Sequence, residues 1–228
     1  MDAVAIAGLV VAIVALVVPL LVLSIQRPRL EITESAWSPA EPTAWTFAVF
    51  QVRNKPLTGV FGRFLTRQDA QECVVEIDYF KWDTDQRIFP TITGRWSSHN
   101  PPITWMQEPT GLEQTAVTGA PRQSMGPGYS GVYNPTPSLD PPEHDIGASE
   151  RGEEVAVAIL TTMGGVGAYA WSRESYKYPD WKNPDRWLDD STIYRIDVCV
   201  RGSSVVKKAR FILCFISLNF SDFRLEKV

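Results

Sequence analysis

Two histidines and three cysteines among 228 residues leave little material for metal or thiol chemistry. An odd cysteine count cannot pair completely, shows no C-x-x-C spacing, and suits a reducing compartment better than a disulfide framework. His99 sits beside Asn100 and two prolines, and His144 lies between Glu143 and Asp145. A metal site needs three or four ligands brought together, so the Glu-His-Asp run reads as a solvated loop. The chain has no G-x-S-x-G nucleophile elbow. Gly164-Gly165-Val166-Gly167 lacks the Lys-Ser/Thr of a phosphate loop and opens no predicted helix, which makes it a bend between strands. No amphipathic helix of any length is present. Lys and Arg number 22 against 26 Asp and Glu, and a net charge of −4 gives no general reason to expect nucleic acid. No catalytic residue, cofactor or metal is assigned, and nothing supports an enzyme.

What the chain does have is one long uncharged run, Ala3 to Ile25, closed by Gln26, Arg27, Pro28 and Arg29. At about 1.5 Å per residue such a helix crosses a hydrocarbon core of roughly 30 Å. A signal peptide would show a basic start and a shorter apolar region, whereas here the bases follow the run. We therefore expect a retained anchor over residues 1–28, with Pro19 tolerated as in bundled membrane helices. Arg27 and Arg29 on the C-terminal flank place the following domain in the cytoplasm by the positive-inside tendency. Ala5, Gly8, Ala12 and Ala15 recur at three, four and three residues and form one stripe of small side chains. Such a stripe is either a packing face for another membrane helix, giving a protein partner or homo-oligomer, or ordinary alanine usage.

Residues 29–228 are too few for two ordinary domains and carry strand patterns throughout. Expected strands run over 29–33, 44–53, 72–82, 154–160, 192–200 and 207–218, with a hairpin partner at 87–89 and a short final strand at 223–225. Residues 57–69 read as a loop. In the 72–82 strand, Cys73, Val75, Ile77 and Tyr79 share the buried face, while Cys199 shares a face with Arg195 and Asp197. Cys73 and Cys199 are thus not expected to bond. Two irregular insertions, at 100–149 and 170–190, show neither periodicity. In the second, Asn183-Pro184-Asp185 looks like an N-cap and first helical proline. The tally of seven to nine strands favours an all-β, antiparallel immunoglobulin-like β-sandwich after one transmembrane helix.

Val52-Arg53-Asn54-Lys55, the strand entry at 70–77 and Gly94-Arg95-Trp96-Ser97-Ser98 carry a resemblance, as do Glu153-Glu154-Val155-Ala156-Val157 and the strand at 194–200. By these the chain resembles uncharacterised prokaryotic (archaeal) single-pass membrane proteins with one Ig-like domain. The resemblance covers most of the domain outside the insertions. It implies a fold and an anchor and transfers no catalytic residue.

Two surfaces stand out. No acidic residue falls between Glu41 and Asp69, while Arg53, Lys55, Arg63 and Arg67 do, with Phe61, Phe64 and Leu65 among them. With Arg27 and Arg29 these form a candidate membrane-surface patch on the lipid bilayer. The alternative, which the sequence favours, is that the apolar side chains plug one end of the sandwich. The second surface is aromatic: Trp171, Tyr176, Tyr178, Trp181 and Trp187, interleaved with Lys and Arg whose charge nearby aspartates cancel. These rings either bind a partner or cover the sandwich edge. The expected function is a non-enzymatic interaction or assembly subunit; the alternative is a ligand-binding module, for carbohydrate or a cell-surface polymer, using exposed aromatics.

Overall fold

A computed structural model describes residues 3–35, 45–98, 103–107, 122–124, 129–133, 142–149, 151–162, 165–172, 174–175, 178, 181–190, 192–215, 220 and 223–228. One helix, α1 (Ala3–Gln26), precedes a β-sandwich. The first sheet runs β1 (Leu30–Ser35), β2 (Trp45–Asn54), β9 (Glu153–Thr161), β10 (Gly167–Ala170), β11 (Trp187–Leu188). The second runs β14 (Arg224–Lys227), β13 (Val206–Cys214), β12 (Tyr194–Arg201), β3 (Ala70–Lys81), β4 (Ile92–Thr93), and β8 (His144–Ile146) also pairs with β3. Every pairing between these strands is antiparallel.

Alternation places the core where expected. Cys73, Val75, Ile77 and Tyr79 are buried, and so are Tyr194, Ile196, Val198 and Val200 in register beside them. Phe50 of the first sheet stacks on Phe211 of the second at 5.7 Å between centroids. All three cysteines are free, and burial pushes the Cys73 thiol up to about 11, with Asp145 adding to the shift. Trp96 lies fully buried where the chain crosses between the sheets, bridged to Val155 and donating its indole N–H to the carbonyls of Cys73 and Pro142.

One irregularity ties the layers together. Between β2 and β9 the register steps from Ala48↔Ala158 to Val49↔Ala156, which leaves Val157 as the extra residue of a β-bulge. A bulged residue drops out of the ladder, and the Val157 carbonyl takes two other donors. The Tyr79 hydroxyl reaches it across the core at 2.6 Å, and the Trp171 N–H reaches it at 2.7 Å. Burial raises the Tyr79 pKa, so the phenol stays a donor at any physiological pH.

The expected hairpin partner at 87–89 is present in short form: Arg87 bridges Phe80, and the Lys81 and Ile88 N–H groups donate to the Gln86 and Tyr79 carbonyls at 3.0 Å each, before β4 pairs with β3 at Ile92 and Thr93. Two expectations need correction. Residues 57–69 contain a short helix, α2 (Gly59–Phe64). The 100–149 insertion is not structureless. It holds β5 (Ile103–Gln107), β6 (Arg122–Ser124) and β7 (Tyr129–Tyr133) in a third sheet, then β8. Those strands are three to five residues long, too short for alternation to show against the intervening Pro and Gly. The strand count rises accordingly, to eleven in the two main sheets and three in the third.

Ile77→Ala in the full chain should cost about 2–5 kcal/mol through lost burial and a residual cavity. Glu76 points outward and pairs with the exposed Arg201 at 2.7 Å, so Glu76→Ala should cost less than about 1 kcal/mol. Denaturant midpoints of the two variants measure the difference, and the reverse order would mean the strand register is wrong.

Candidate functional site

The residues the sequence marks as membrane-facing meet at one end of the sandwich, where α1 leaves it. A helix ends with four carbonyls that have no intrahelical partner. Here the Gln26 carbonyl accepts from the Gln68 N–H at 2.7 Å, and the Arg27 carbonyl accepts from the Arg67 guanidinium at 2.6 Å. Just beyond, the Arg29 carbonyl accepts from the Lys55 N–H at 3.0 Å. Asn54 completes the junction from a fully buried position. Its Oδ1 accepts from the Arg29 N–H at 2.9 Å, and its Nδ2 donates to the carbonyls of Gln68 at 2.8 Å and Ile146 at 3.3 Å. The anchor therefore enters β1 with no free linker.

The basic patch divides in two. Arg53 and Lys55 are both engaged by Glu31, at 2.5 and 2.6 Å, because the β1–β2 register sets Glu31 directly opposite Arg53. Scanning the interval 41–69 for acids missed this partner, since it lies on the preceding strand. The hydrogen bond from Lys55 holds the Glu31 carboxyl below its usual value, partial desolvation opposes it, and Arg53 adds to it. Among the described residues no ion pair engages Arg27, Arg29, Arg63 or Arg67. Burial, and then the neighbouring Arg29, lower the Arg67 pKa. Phe61 and Phe64 do not plug the sandwich; both are exposed, and only Leu65 is half-buried.

The aromatic surface separates as well. Trp171 and Trp181 are buried. With Ile159 they form a second apolar cluster on the outer face of the first sheet, joined by Trp45, Phe47, Ala156 and Tyr169. Edge-to-face contacts run from Phe47 to Trp171 at 4.8 Å, Trp45 to Trp181 at 5.5 Å and Trp171 to Trp181 at 6.0 Å. For these two rings the covering role applies, and neither is open to a sugar or a partner. Tyr178 is half-buried, Trp187 is 54% exposed, and Tyr176 lies outside the described residues. The expected cap is present: Asn183 Oδ1 accepts from the Asp185 N–H at 3.1 Å, with Pro184 opening a 3-10 turn over Pro184–Arg186. His144 is not in a solvated loop, for it packs 5.5 Å from the Trp96 ring and reaches 3.9 Å from Glu153. Among the described residues no three His, Cys, Asp or Glu side chains gather as a metal site.

The small stripe lies on α1, which is long and apolar enough to cross a membrane. None of its described apolar side chains is buried against the domain, and a Cβ at Gly8 would meet nothing within 4 Å. Of Ala5 only the backbone is described.

Asn54→Leu should keep the shape but remove the partner of the Arg29 N–H and of two carbonyls, at about 1–3 kcal/mol for the buried Ile146 carbonyl and less for the two part-buried groups. Thermal unfolding of the full chain, with hydrogen exchange at Arg29 and Gln68, would show both the loss and its place. Glu31→Gln should lower stability by under about 1 kcal/mol near neutrality, because the pairs are partly exposed. A lowered carboxylate pKa contributes above the ordinary value near 4.3 and is lost as pH falls through the folded-state value. The gap between wild type and variant in a pH series of unfolding should therefore close on acidification. The chain matches no protein-family model, no curated protein and no solved structure.

Proposed function

We propose that this chain is a membrane-anchored interaction or assembly subunit without a catalytic role, its α1 spanning the bilayer and its sandwich on the cytoplasmic side. The observation that carries the reading is α1 itself, a 24-residue apolar helix that the sandwich leaves bare. Apolar surface of that extent is stable only in lipid or against another helix. The stripe of Gly8, Ala12 and Ala15 with Ala5 fits the second kind of neighbour, because small side chains let helix backbones approach closely. Orientation rests on cations. Arg63 and Arg67 join Arg27 and Arg29 at the end where α1 emerges, and basic residues flanking a span collect on the cytoplasmic side. The immunoglobulin-like relation belongs to the same proposal and is supported by the two packed antiparallel sheets. The ligand-binding alternative loses Trp171 and Trp181 to the interior and keeps Trp187.

Replacing Gly8 or Ala12 with Ile keeps α1 apolar and should leave membrane insertion intact. It should weaken association by holding the neighbouring helix away and forfeiting close dispersion contacts. Val11→Ile, off the stripe, should change little. Crosslinking in native membranes, followed by native mass measurement after mild extraction, reads both effects. Equal crosslinking by Gly8→Ile and Val11→Ile would remove the stripe from the proposal.

A further inference from the structure

α2 departs from what a folded domain does with apolar residues. It buries none of its six residues, and Val60, Phe61 and Phe64 are 71, 56 and 80% exposed. Scattered apolar side chains on a surface need no explanation, but these fall on one face: 60 and 64 are four apart, 61 and 64 three. At about 3.6 residues per turn Gly62 falls on the opposite side of the helix. There an added Cβ would stand 2.3 Å from the Leu57 carbonyl oxygen. Only glycine lets the back of α2 press so closely on Leu57, and the result is an outward apolar face. Gly59, at φ +68, supplies the left-handed residue that turns the chain into α2, and the Leu65 N–H closes it on the Phe61 carbonyl at 2.9 Å.

The position of α2 identifies what covers that face. Three residues after Phe64, the Arg67 guanidinium is bonded to the Arg27 carbonyl, and Gln68 is bonded to Gln26, the last residue of α1. Three residues reach at most about 10 Å, so Phe64 is held close to the level at which α1 ends. We propose that α2 is a second membrane contact, in which Val60, Phe61 and Phe64 enter the interfacial zone of the leaflet from which α1 emerges, while Arg27, Arg29, Arg63 and Arg67 meet its anionic headgroups. The inference rests on the reading that α1 spans the bilayer. Charge complementarity supports a lipid occupant over a second apolar protein surface. Arg63 lies within α2, Arg67 three residues beyond it and bonded to the Arg27 carbonyl, and Arg27 and Arg29 just past α1. None is in an ion pair among the described residues, and anionic lipid is the partner that satisfies both apolar and cationic groups. Side chains in this zone sit about 5–10 Å into the boundary between headgroups and acyl chains. With α1 and α2 both in contact, the sandwich stands on the membrane at two points and has a fixed pose.

The full chain, with Cys199→Ser and Cys214→Ser, receives a single cysteine at Phe64→Cys or at Asp83→Cys and is labelled with an environment-sensitive dye. Cys73 is buried and stays unlabelled. Asp83 is the far reference: β3 leads from the α1 end at Ala70 to Lys81, about 35 Å at roughly 3.3 Å per residue. The protein is reconstituted into vesicles containing anionic phospholipid, with and without bromine on the acyl chains. The expected result is a blue-shifted dye at 64, quenched several-fold more by brominated lipid than the dye at 83. A dye at 64 as water-exposed as that at 83, in protein that co-floats with the vesicles, would overturn the second contact and leave the anchor standing. A shielded dye that brominated lipid fails to quench would overturn it in favour of a protein occupant. Failure to co-float would overturn both readings together.

Discussion

A single buried amide joins the anchor to the sandwich. Asn54 ends β2 and is fully enclosed, yet its side chain touches the exit from α1, the segment after α2 and the end of β8. Those three segments lie far apart in sequence and each presents a backbone group with no ladder to join. An amide supplies one acceptor and two donors, which is what one N–H and two carbonyls require. Aspartate would bring a charge and no donor, and an apolar side chain would leave all three groups without this partner, the Ile146 carbonyl in the interior and the other two at its edge. The neighbouring Arg67 and Gln68 bonds then finish the last turn of α1. The junction is thus built from backbone groups that a helix end and a strand end leave open, and it is stiff because each is used.

The two sheets are not equivalent. The second shows water its outer face, where Asp197 takes Arg210 at 2.8 Å and Arg87 reaches Asp78. The first has apolar packing on both faces, the core on one and the Trp171–Trp181 cluster on the other. The bulge at Val157 connects these layers, since its one carbonyl is held from the core side by Tyr79 and from the chain entering the insertion by Trp171. Cover on both faces leaves little of the aromatic set for recognition. The surface with unspent chemistry is the end beside α1, where exposed apolar side chains and arginines with no ion pair among the described residues coincide.

Period-two alternation made the long strands legible in the sequence. In β3 and β12 every second residue is apolar, and both faces came out as the pattern required. Residues 154–160 were legible as a strand but not as one buried on both faces, because the covering residues come from 171–181. The short strands β5, β6 and β7 were illegible, as three to five residues cannot display a period. In the site, the membrane end was half legible. The arginines and phenylalanines are visible as a cluster, but Glu31 enters only through strand register, and Asn54 falls just past the expected strand, ahead of Lys55-Pro56, where a turn residue is ordinary. Nothing local in a sequence says that a turn asparagine will be sealed beneath a helix end. The exposure of Phe61 and Phe64 turned on Gly62, whose closeness to Leu57 is a matter of three dimensions alone.

The double cover of β9 has a consequence for how the chain is made. Val155-Ala156-Val157-Ala158-Ile159-Leu160 is six residues of high strand propensity with no charge and no proline, the composition that stacks readily with copies of itself. Its outer lid, Trp181, follows about twenty residues later, and β12 and β13, which close the core opposite, come later still. At synthesis rates of about 5–20 residues per second the lid trails the strand by roughly one to four seconds. During that interval β9 can be sheltered by partners already made, β2 beside it and Tyr79 and Trp96 from the core side, and by Glu153 and Glu154 immediately before it, charges placed where gatekeepers against self-association stand. The native pairing of β2 with β9 must therefore form early, ahead of the layer that will hide it.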